Sequence, residues 1–188
     1  MNFPEVTALI LAGGQGQRVD GADKGLLIYQ NKPLVQHISS NLRQCCQQII
    51  ISCNRNTQRY QQYADLCIND TLPDFQGPLS GISSAVQQAE CDWVFVCPCD
   101  TPNITAKLIT QMQTQLSKSN KALCVAHDGE RLQNLVMLGK KSCFMTIQAF
   151  LSSSQRAVKH WLAQQDYCVC TTKQSEIFQN FNYLTDFN

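Results

Sequence analysis

Apolar residues recur along the chain in two rhythms. Short runs such as Thr7-Ala-Leu-Ile-Leu-Ala12, Gln48-Ile-Ile-Ile-Ser-Cys53, Leu66-Cys-Ile68 and Trp93-Val-Phe-Val-Cys97 are nearly continuous in apolar character. That continuity marks strands buried on both faces, as in a parallel sheet. Between them the apolar positions fall at helical spacing: Leu34, Val35, Ile38, Leu42 and Cys45, then Leu79, Ile82 and Val86, then Ile104, Leu108, Met112 and Leu116. A more polar helix is expected from Thr57 to Tyr63. Strand and helix in alternation predict an α/β protein, a Rossmann-like three-layer fold with a mostly parallel sheet. The rhythm then changes. Residues 122–127 and 132–138 flank Asp128-Gly-Glu-Arg131, which predicts a β-hairpin insertion in place of another crossover. Two more helices, a strand over 167–170 and a short tail complete the chain. No repeat or long linker divides it, so residues 1–188 are expected to form a single domain.

Composition narrows the classes of function. The formal net charge is +1 and no run of Lys or Arg stands out, whereas a nucleic-acid binder carries a basic patch or stripe. Apolar stretches reach about six residues, against the roughly 20 needed to span a bilayer. The N-terminus has neither a basic segment nor a long apolar run of the kind a signal peptide shows. The expectation is therefore a cytoplasmic protein with no nucleic-acid or membrane partner. Eleven cysteines, an odd number without a C-x-x-C pair, sit mostly inside apolar runs. They read as buried free thiols in a reducing compartment, not as disulfides or zinc ligands.

Ligands of open parallel sheets bind outside the carboxyl ends of the strands. The loops there hold Gly13-Gly14-Gln-Gly16-Gln-Arg18 with Asp23-Lys24, then Asp70 with Gly77-Pro78-Leu-Ser-Gly81, then Asp100. Glycines allow the backbone to approach a ligand, and exposed N–H groups at a helix start favour phosphate. The first loop is neither a P-loop nor a full dinucleotide fingerprint, and on its own it also reads as a plain strand-to-helix turn. Lys24 and Arg18 are the nearest cations for phosphate, or else solvated surface charges. Asp100 ends an apolar strand, the position and hardness that magnesium needs, although a turn cap before Thr101-Pro102 would use the same residue type. Asp70 holds a similar strand-end position. His37, His127 and His160 form no catalytic set, and Gly-x-Ser-x-Gly is absent.

In combination these segments are more specific. Leu11-Ala-Gly-Gly14, Gly16-x-Arg18, Asp23-Lys24-Gly-Leu-Leu27 and Lys32-Pro33-Leu34 resemble the opening of the sugar-phosphate and cofactor nucleotidyltransferases. Gly77-Pro-Leu-Ser-Gly81, Cys97-Pro-Cys-Asp-Thr-Pro102, His127-Asp-Gly-Glu-Arg131 and the tail pair Asn180-Phe-Asn182 resemble the molybdenum cofactor guanylyltransferases in particular. The resemblance runs from residue 7 to about 184 in consistent order. It implies transfer of GMP from Mg-GTP to the terminal phosphate of the molybdenum-molybdopterin cofactor, with release of pyrophosphate. By position it implies that Leu11, Ala12, Gly13, Lys24, Ser52, Asp70, Gly77, Gly81 and Asp100 bind nucleotide. It further implies that Asp100 holds Mg²⁺, that Lys24 and Arg18 serve the phosphates, and that Asn180 and Asn182 lie on the pterin side. Transient contacts with cofactor-insertion proteins and a monomeric state are further expectations. The chain departs from the family at Ser52, often asparagine there, at Asp20-Gly21, where the family has Gly-Gly, and near Asn134, where it usually has proline. Two rivals stand beside this expectation: cytidylyl or sugar-phosphate nucleotidyl transfer on the same fold, and an inactive nucleotide-binding module.

Overall fold

A computed structural model describes residues 3–14, 22–70 and 77–181. Strand β1 (Val6–Leu11) opens the chain, and the short ribbon β2 (Ile28–Tyr29) and β3 (Lys32–Pro33) leads into helix α1 (Leu34–Leu42). Strand β4 (Gln48–Ser52), the short helix α2 (Thr57–Tyr60) and β5 (Leu66–Ile68) follow, then α3 (Pro78–Val86) and β6 (Trp93–Pro98). After α4 (Ala106–Ser119) come the hairpin strands β7 (Leu123–His127) and β8 (Leu132–Lys140), helices α5 (Lys141–Ser152) and α6 (Val158–Leu162), and the strand β9 (Cys168–Thr171).

Seven strands form one sheet in the order β5-β4-β1-β6-β8-β7-β9. β5, β4, β1 and β6 run parallel, β8 is antiparallel to both its neighbours, and β9 is parallel to β7. The expected mostly parallel sheet with a hairpin is therefore what the chain builds. Every residue of β4 is buried, as its continuous apolar run requires. The side-chain alternation of β1 divides the core in two. Ala8 and Ile10 pack in a cluster with Val35 and Ile38 of α1 and Leu108 and Met112 of α4. Leu9 packs in a second cluster with Leu79 and Ile82 of α3, Phe144 and Ile147 of α5 and Trp161 of α6. Helices thus cover both faces, giving three layers.

Polar groups inside the sheet are paired. Thr7 Oγ1 donates to Gln48 Oε1 at 2.9 Å, and the N–H groups of Cys91 and Glu90 donate to Thr7 Oγ1 and Gln48 Oε1. Eight of the eleven cysteines are buried, and the other three, Cys45, Cys67 and Cys143, are half-buried. Among the described residues no helix is long and apolar enough to cross a membrane.

The structure corrects details of the sequence reading. Helix α1 stops at Leu42, so Cys45 lies beyond it. The β2–β3 ribbon was not anticipated. Its loop residues Gln30 and Asn31 both take positive φ, at 46° and 64°, which is the type I′ pattern of a two-residue hairpin.

Candidate active site

The ends of the parallel strands are tied to one another. The Ala12 N–H donates to the Ser52 carbonyl at 2.7 Å, the Cys53 N–H to the Ile68 carbonyl at 2.9 Å, and the Cys99 N–H to the Leu11 carbonyl at 3.0 Å. The residues that follow β1, β4, β5 and β6 therefore emerge along one sheet edge. Here the strand order reverses between β1 and β6, since β4 and β5 lie to one side of β1 and β6 to the other. Such a reversal is where open α/β sheets leave a crevice.

Two side-chain groups occupy this edge. The first is built around Asp70. Its Oδ2 accepts from Asn54 Nδ2 at 3.0 Å, its Oδ1 accepts from Ser52 Oγ at 3.3 Å, and its own N–H donates to Asn54 Oδ1 at 2.9 Å. Helix α3 comes directly over this group. A Cβ at Gly81 would stand 2.5 Å from Ser52 Oγ and 3.1 Å from Asp70 Oδ1, so the approach depends on the absent side chain. Gly13 faces the same group, where a Cβ would lie 3.2 Å from Asn54 Nδ2. Gly77 caps α3 at φ +85°, a left-handed conformation that suits glycine, and Pro78 follows at the first helical position.

The second group is the ion pair between Lys24 Nζ and Asp100 Oδ2, 3.5 Å apart and mostly buried on both sides. Burial pushes the Asp100 carboxyl above its ordinary range, and the neighbouring Lys24 ammonium opposes that rise. Lys24 opens a single 3₁₀ turn, Lys24–Leu26. The residue before it, Asp23, accepts hydrogen bonds from the hydroxyl of Tyr60 and from Asn56 Nδ2. Tyr60 is fully buried, and burial raises the pKa of its phenol, keeping the hydroxyl as a donor. A Cβ at residue 25 would strike that hydroxyl at 2.6 Å, so Gly25 lets the Asp23-Lys24 turn sit down on Tyr60.

Beside Asp100 a cavity of about 390 Å³ opens, lined by Pro98, Asp100, Thr101, Asn180, Arg131 and the first half of β8, residues 132–136. The tail reaches it because the Phe181 N–H donates to the Asp100 carbonyl at 2.9 Å. The ring of Phe181 also packs on Tyr29 of the β2–β3 ribbon, with centroids 4.5 Å apart.

Gly13, Ser52, Asp70 and Gly81 thus come together in one group and Lys24 with Asp100 in another, while Asn180 shares the cavity with Asp100. Leu11 and Ala12 take part through their backbone at the strand end. Arg18 and Asn182 lie outside the described residues. The histidines stand apart from these groups: His37 Nε2 bonds the Tyr29 carbonyl, His127 Nδ1 accepts from the Gly129 N–H, and His160 is exposed on α6. Sequence reasoning missed Tyr60 and Arg55, whose Nη2 donates to the Gly14 carbonyl at 3.1 Å, because neither belongs to a motif. Asn54, which also belongs to no motif, joins the site through its reciprocal bonds with Asp70.

Among the described residues no three His, Cys, Asp or Glu side chains gather as a metal site. A single strand-end carboxylate matches magnesium that arrives with nucleotide phosphates, since this ion commonly takes one or two carboxylates and completes its shell with phosphate and water.

Comparison with known proteins gives a consistent picture. Residues 8–168 match the model of the MobA-like NTP transferase domain. The chain is 35% identical over 179 residues to the molybdenum cofactor guanylyltransferase of Shewanella halifaxensis, covering 95% of this chain and 90% of that one. It is 37% identical over 155 residues to the protein of the same name from Pseudomonas syringae pv. tomato, covering 82% and 77%. Among solved structures it is similar to molybdopterin-guanine dinucleotide biosynthesis protein A from Archaeoglobus fulgidus, with a TM-score of 0.78 at 17% identity over 96% of this chain and 94% of that one. It also resembles 4-diphosphocytidyl-2C-methyl-D-erythritol synthase from Anaerococcus prevotii, with a TM-score of 0.72 at 9% identity over 98% and 95%. At such identities the two structures speak for the fold alone.

Proposed function

The chain belongs to the MobA-like nucleotidyltransferases, and from that premise we propose that it transfers GMP from GTP to the terminal phosphate of molybdenum-molybdopterin, giving the guanine dinucleotide cofactor and pyrophosphate. The observation that carries the reading is the position of Asp100, which pairs with Lys24 on one side and lines the cavity with Asn180 on the other. A carboxylate that pairs with a cation and also lines a cavity suits a reaction that joins two substrates.

Chemically the step is a displacement at the α-phosphorus of GTP. An oxygen of the acceptor phosphate forms the new bond, and the bond from the α-phosphorus to the oxygen bridging to the β-phosphorus breaks, so that pyrophosphate leaves with the electron pair. The acceptor phosphate is already anionic at neutral pH and no protein base is required, which accords with a site built without histidine. The work of the chain is positioning and charge neutralisation. Nucleoside recognition belongs to Ser52, Asp70, Gly13 and Gly81, with Gly77 at the entrance of α3. The backbone at the end of β1, from Leu11 to Gly13, and the Lys24 ammonium serve the phosphates, joined by Arg18. Mg²⁺ held by Asp100 would supply charge neutralisation on the phosphates. Asn180 and Asn182 belong to the acceptor side, and product release to cofactor-insertion proteins completes the proposal.

Isotope placement tests the reading. With GTP labelled at the α-phosphorus, label is expected in the cofactor product. With GTP labelled at the γ-phosphorus, it is expected in pyrophosphate alone. Label passing from the γ-position to the acceptor would mean phosphoryl transfer and would overturn the proposal.

A further inference from the structure

The end of the described chain is fastened at two points. After β9 a single 3₁₀ turn, Ser175–Phe178, sets Ile177 and Phe178 into the core cluster that α1 and α4 share, and Asn103 Nδ2 donates to the Glu176 carbonyl at 3.1 Å. Gln179 and Asn180 then run exposed, and Phe181 is buried again. The Phe181 N–H donates to the Asp100 carbonyl at 2.9 Å, and its ring centroid lies 4.5 Å from that of Tyr29 at a tilt of 57°. Tilted rings at this separation attract through their quadrupoles as well as through the area they bury. Asn180 is therefore one peptide bond from the residue that makes the second fastening. It lines the cavity with Asp100 and with residues 132–136 of β8, where the register against β7 slips between Val125 and Ala126.

Tyr29 is itself held from behind. His37 Nε2 of α1 donates to the Tyr29 carbonyl at 2.8 Å, and the two rings lie 5.6 Å apart. The Leu34 N–H donates to the Leu27 carbonyl at 3.0 Å and closes the base of the β2–β3 ribbon, and Leu27 directly follows the Lys24–Leu26 turn. Both bonds end on main-chain carbonyls, so they survive a substitution at residue 29. The Tyr29 hydroxyl accepts from Gln30 Nε2 at the surface, which leaves the ring as the part that meets Phe181. Two links thus join the Lys24 segment to the Asp100 segment: the ion pair at 3.5 Å, and the ring contact of Tyr29 with Phe181.

We infer that Tyr29 is a positioning residue for the acceptor side of the reaction: its ring clamps Phe181 and thereby holds Asn180 at the cavity beside Asp100. The inference rests on the guanylyl-transfer reading for the role of Asn180, whereas the clamp can be measured without turnover. A chain end with one fastening frays over the residues beyond it. An amide that must meet a ligand loses that freedom on binding, at a cost in affinity. The clamp removes the cost in advance, so its loss falls on affinity for the acceptor and leaves the nucleotide side unchanged.

The test uses the full-length protein with Tyr29→Ala, Phe181→Ala, their double variant and Tyr29→Phe. Its readouts are hydrogen exchange at the Phe181 amide without ligand, equilibrium binding of molybdopterin-type cofactor without nucleotide, and the KM for cofactor and for GTP in pyrophosphate release. Protection of the sheet amides in the same exchange data shows that each variant is folded, and Tyr29 lies on the two-stranded ribbon outside the seven-stranded sheet. If an alanine variant loses that protection, Tyr29→Gln, which keeps bulk without a ring, takes its place with the same expectations. Tyr29→Ala is expected to speed exchange at Phe181 at least tenfold and to raise the cofactor Kd and KM at least fivefold, with the GTP KM within twofold of wild type. Phe181→Ala should match it in cofactor Kd and KM, and the double variant should be no worse than either, because the rings act as one unit. Tyr29→Phe keeps the ring and should behave as wild type. A ring that merely filled space would leave the cofactor Kd and KM where they are. Unchanged Phe181 exchange in Tyr29→Ala would overturn the inference, as would a rise shared equally by both KM values or a loss in Tyr29→Phe as large as in Tyr29→Ala. If cofactor binding depends on Tyr29 yet no pyrophosphate is released, the guanylyl-transfer reading fails and the clamp stands. If pyrophosphate is released and Tyr29→Ala binds cofactor normally, the clamp fails alone. If the wild type neither binds cofactor nor releases pyrophosphate, both are overturned.

Discussion

Asp128 shows how one half-buried side chain can organise a turn. Backbone N–H groups of Arg131 and Glu130 donate to its carboxylate, and these bonds hold its pKa down at about 2. The group is therefore more acidic in the folded chain than in the unfolded one, where an aspartate titrates near roughly 3.9. A depressed carboxylate contributes stability that is complete above the unfolded value and disappears as pH falls through the folded one. The stability difference between wild type and Asp128→Asn is expected to be constant above about pH 5 and to shrink between about pH 4 and pH 2. Denaturant titrations at stepped pH would measure it, and a difference that persists unchanged at pH 2 would refute the turn's dependence on this carboxylate. At this scale much of the site was legible. Asp70 and Asp100 end apolar strands, Lys24 follows an aspartate in a recognisable segment, and Gly13 and Gly81 sit in glycine-rich loops. Chain-local signals sufficed for those. They did not suffice for Tyr60, which acts on Asp23 across 37 positions, or for Arg55, which reaches Gly14 across 41.

The elements repeat the lesson at larger scale. The continuous apolar runs of β4 and β6 and the helical spacing in α1, α3 and α4 gave correct types and nearly correct limits, since each buries a long apolar face against the sheet. The β2–β3 ribbon escaped because strands of two residues carry no periodicity. The slip in β8 escaped because register is set by pairing and not by the pattern within one strand. Tyr60 joins α2 to the Lys24 turn, and its effect belongs to this scale. Tyr60→Phe keeps the buried ring and removes the hydroxyl that bonds Asp23, a loss of about 1–2 kcal/mol in stability for a buried bond with one partner left behind. Urea unfolding should register that loss, and the GTP KM should rise as the Lys24 turn loosens. An unchanged stability together with an unchanged KM would mean that Tyr60 merely fills space beneath the turn.

Across the whole molecule, function follows from strand order. The sheet runs β5-β4-β1 on one side of the reversal and β6-β8 on the other, so Asp70 follows a strand on one side and Asp100 a strand on the other. Fold class was legible from the alternation of strands and helices, while the cavity beside Asp100 was not, because it depends on which strands become neighbours. The relatives from Shewanella and Pseudomonas align over most of their length, so the same arrangement of loops is expected in them. The central claim is that this edge joins the guanylyl group of GTP to the phosphate of a pterin cofactor. Its most direct measurement is pyrophosphate release by the purified protein with Mg²⁺, molybdopterin-type cofactor and each of GTP, CTP, ATP and UTP in turn, with Asp100→Ala run beside the wild type. Release with GTP alone, dependent on metal and cofactor and at least tenfold weaker in a folded Asp100→Ala variant, is the expected result. Release with CTP in place of GTP would contradict the guanylyl assignment, and binding of GTP without release under any condition would contradict catalysis altogether.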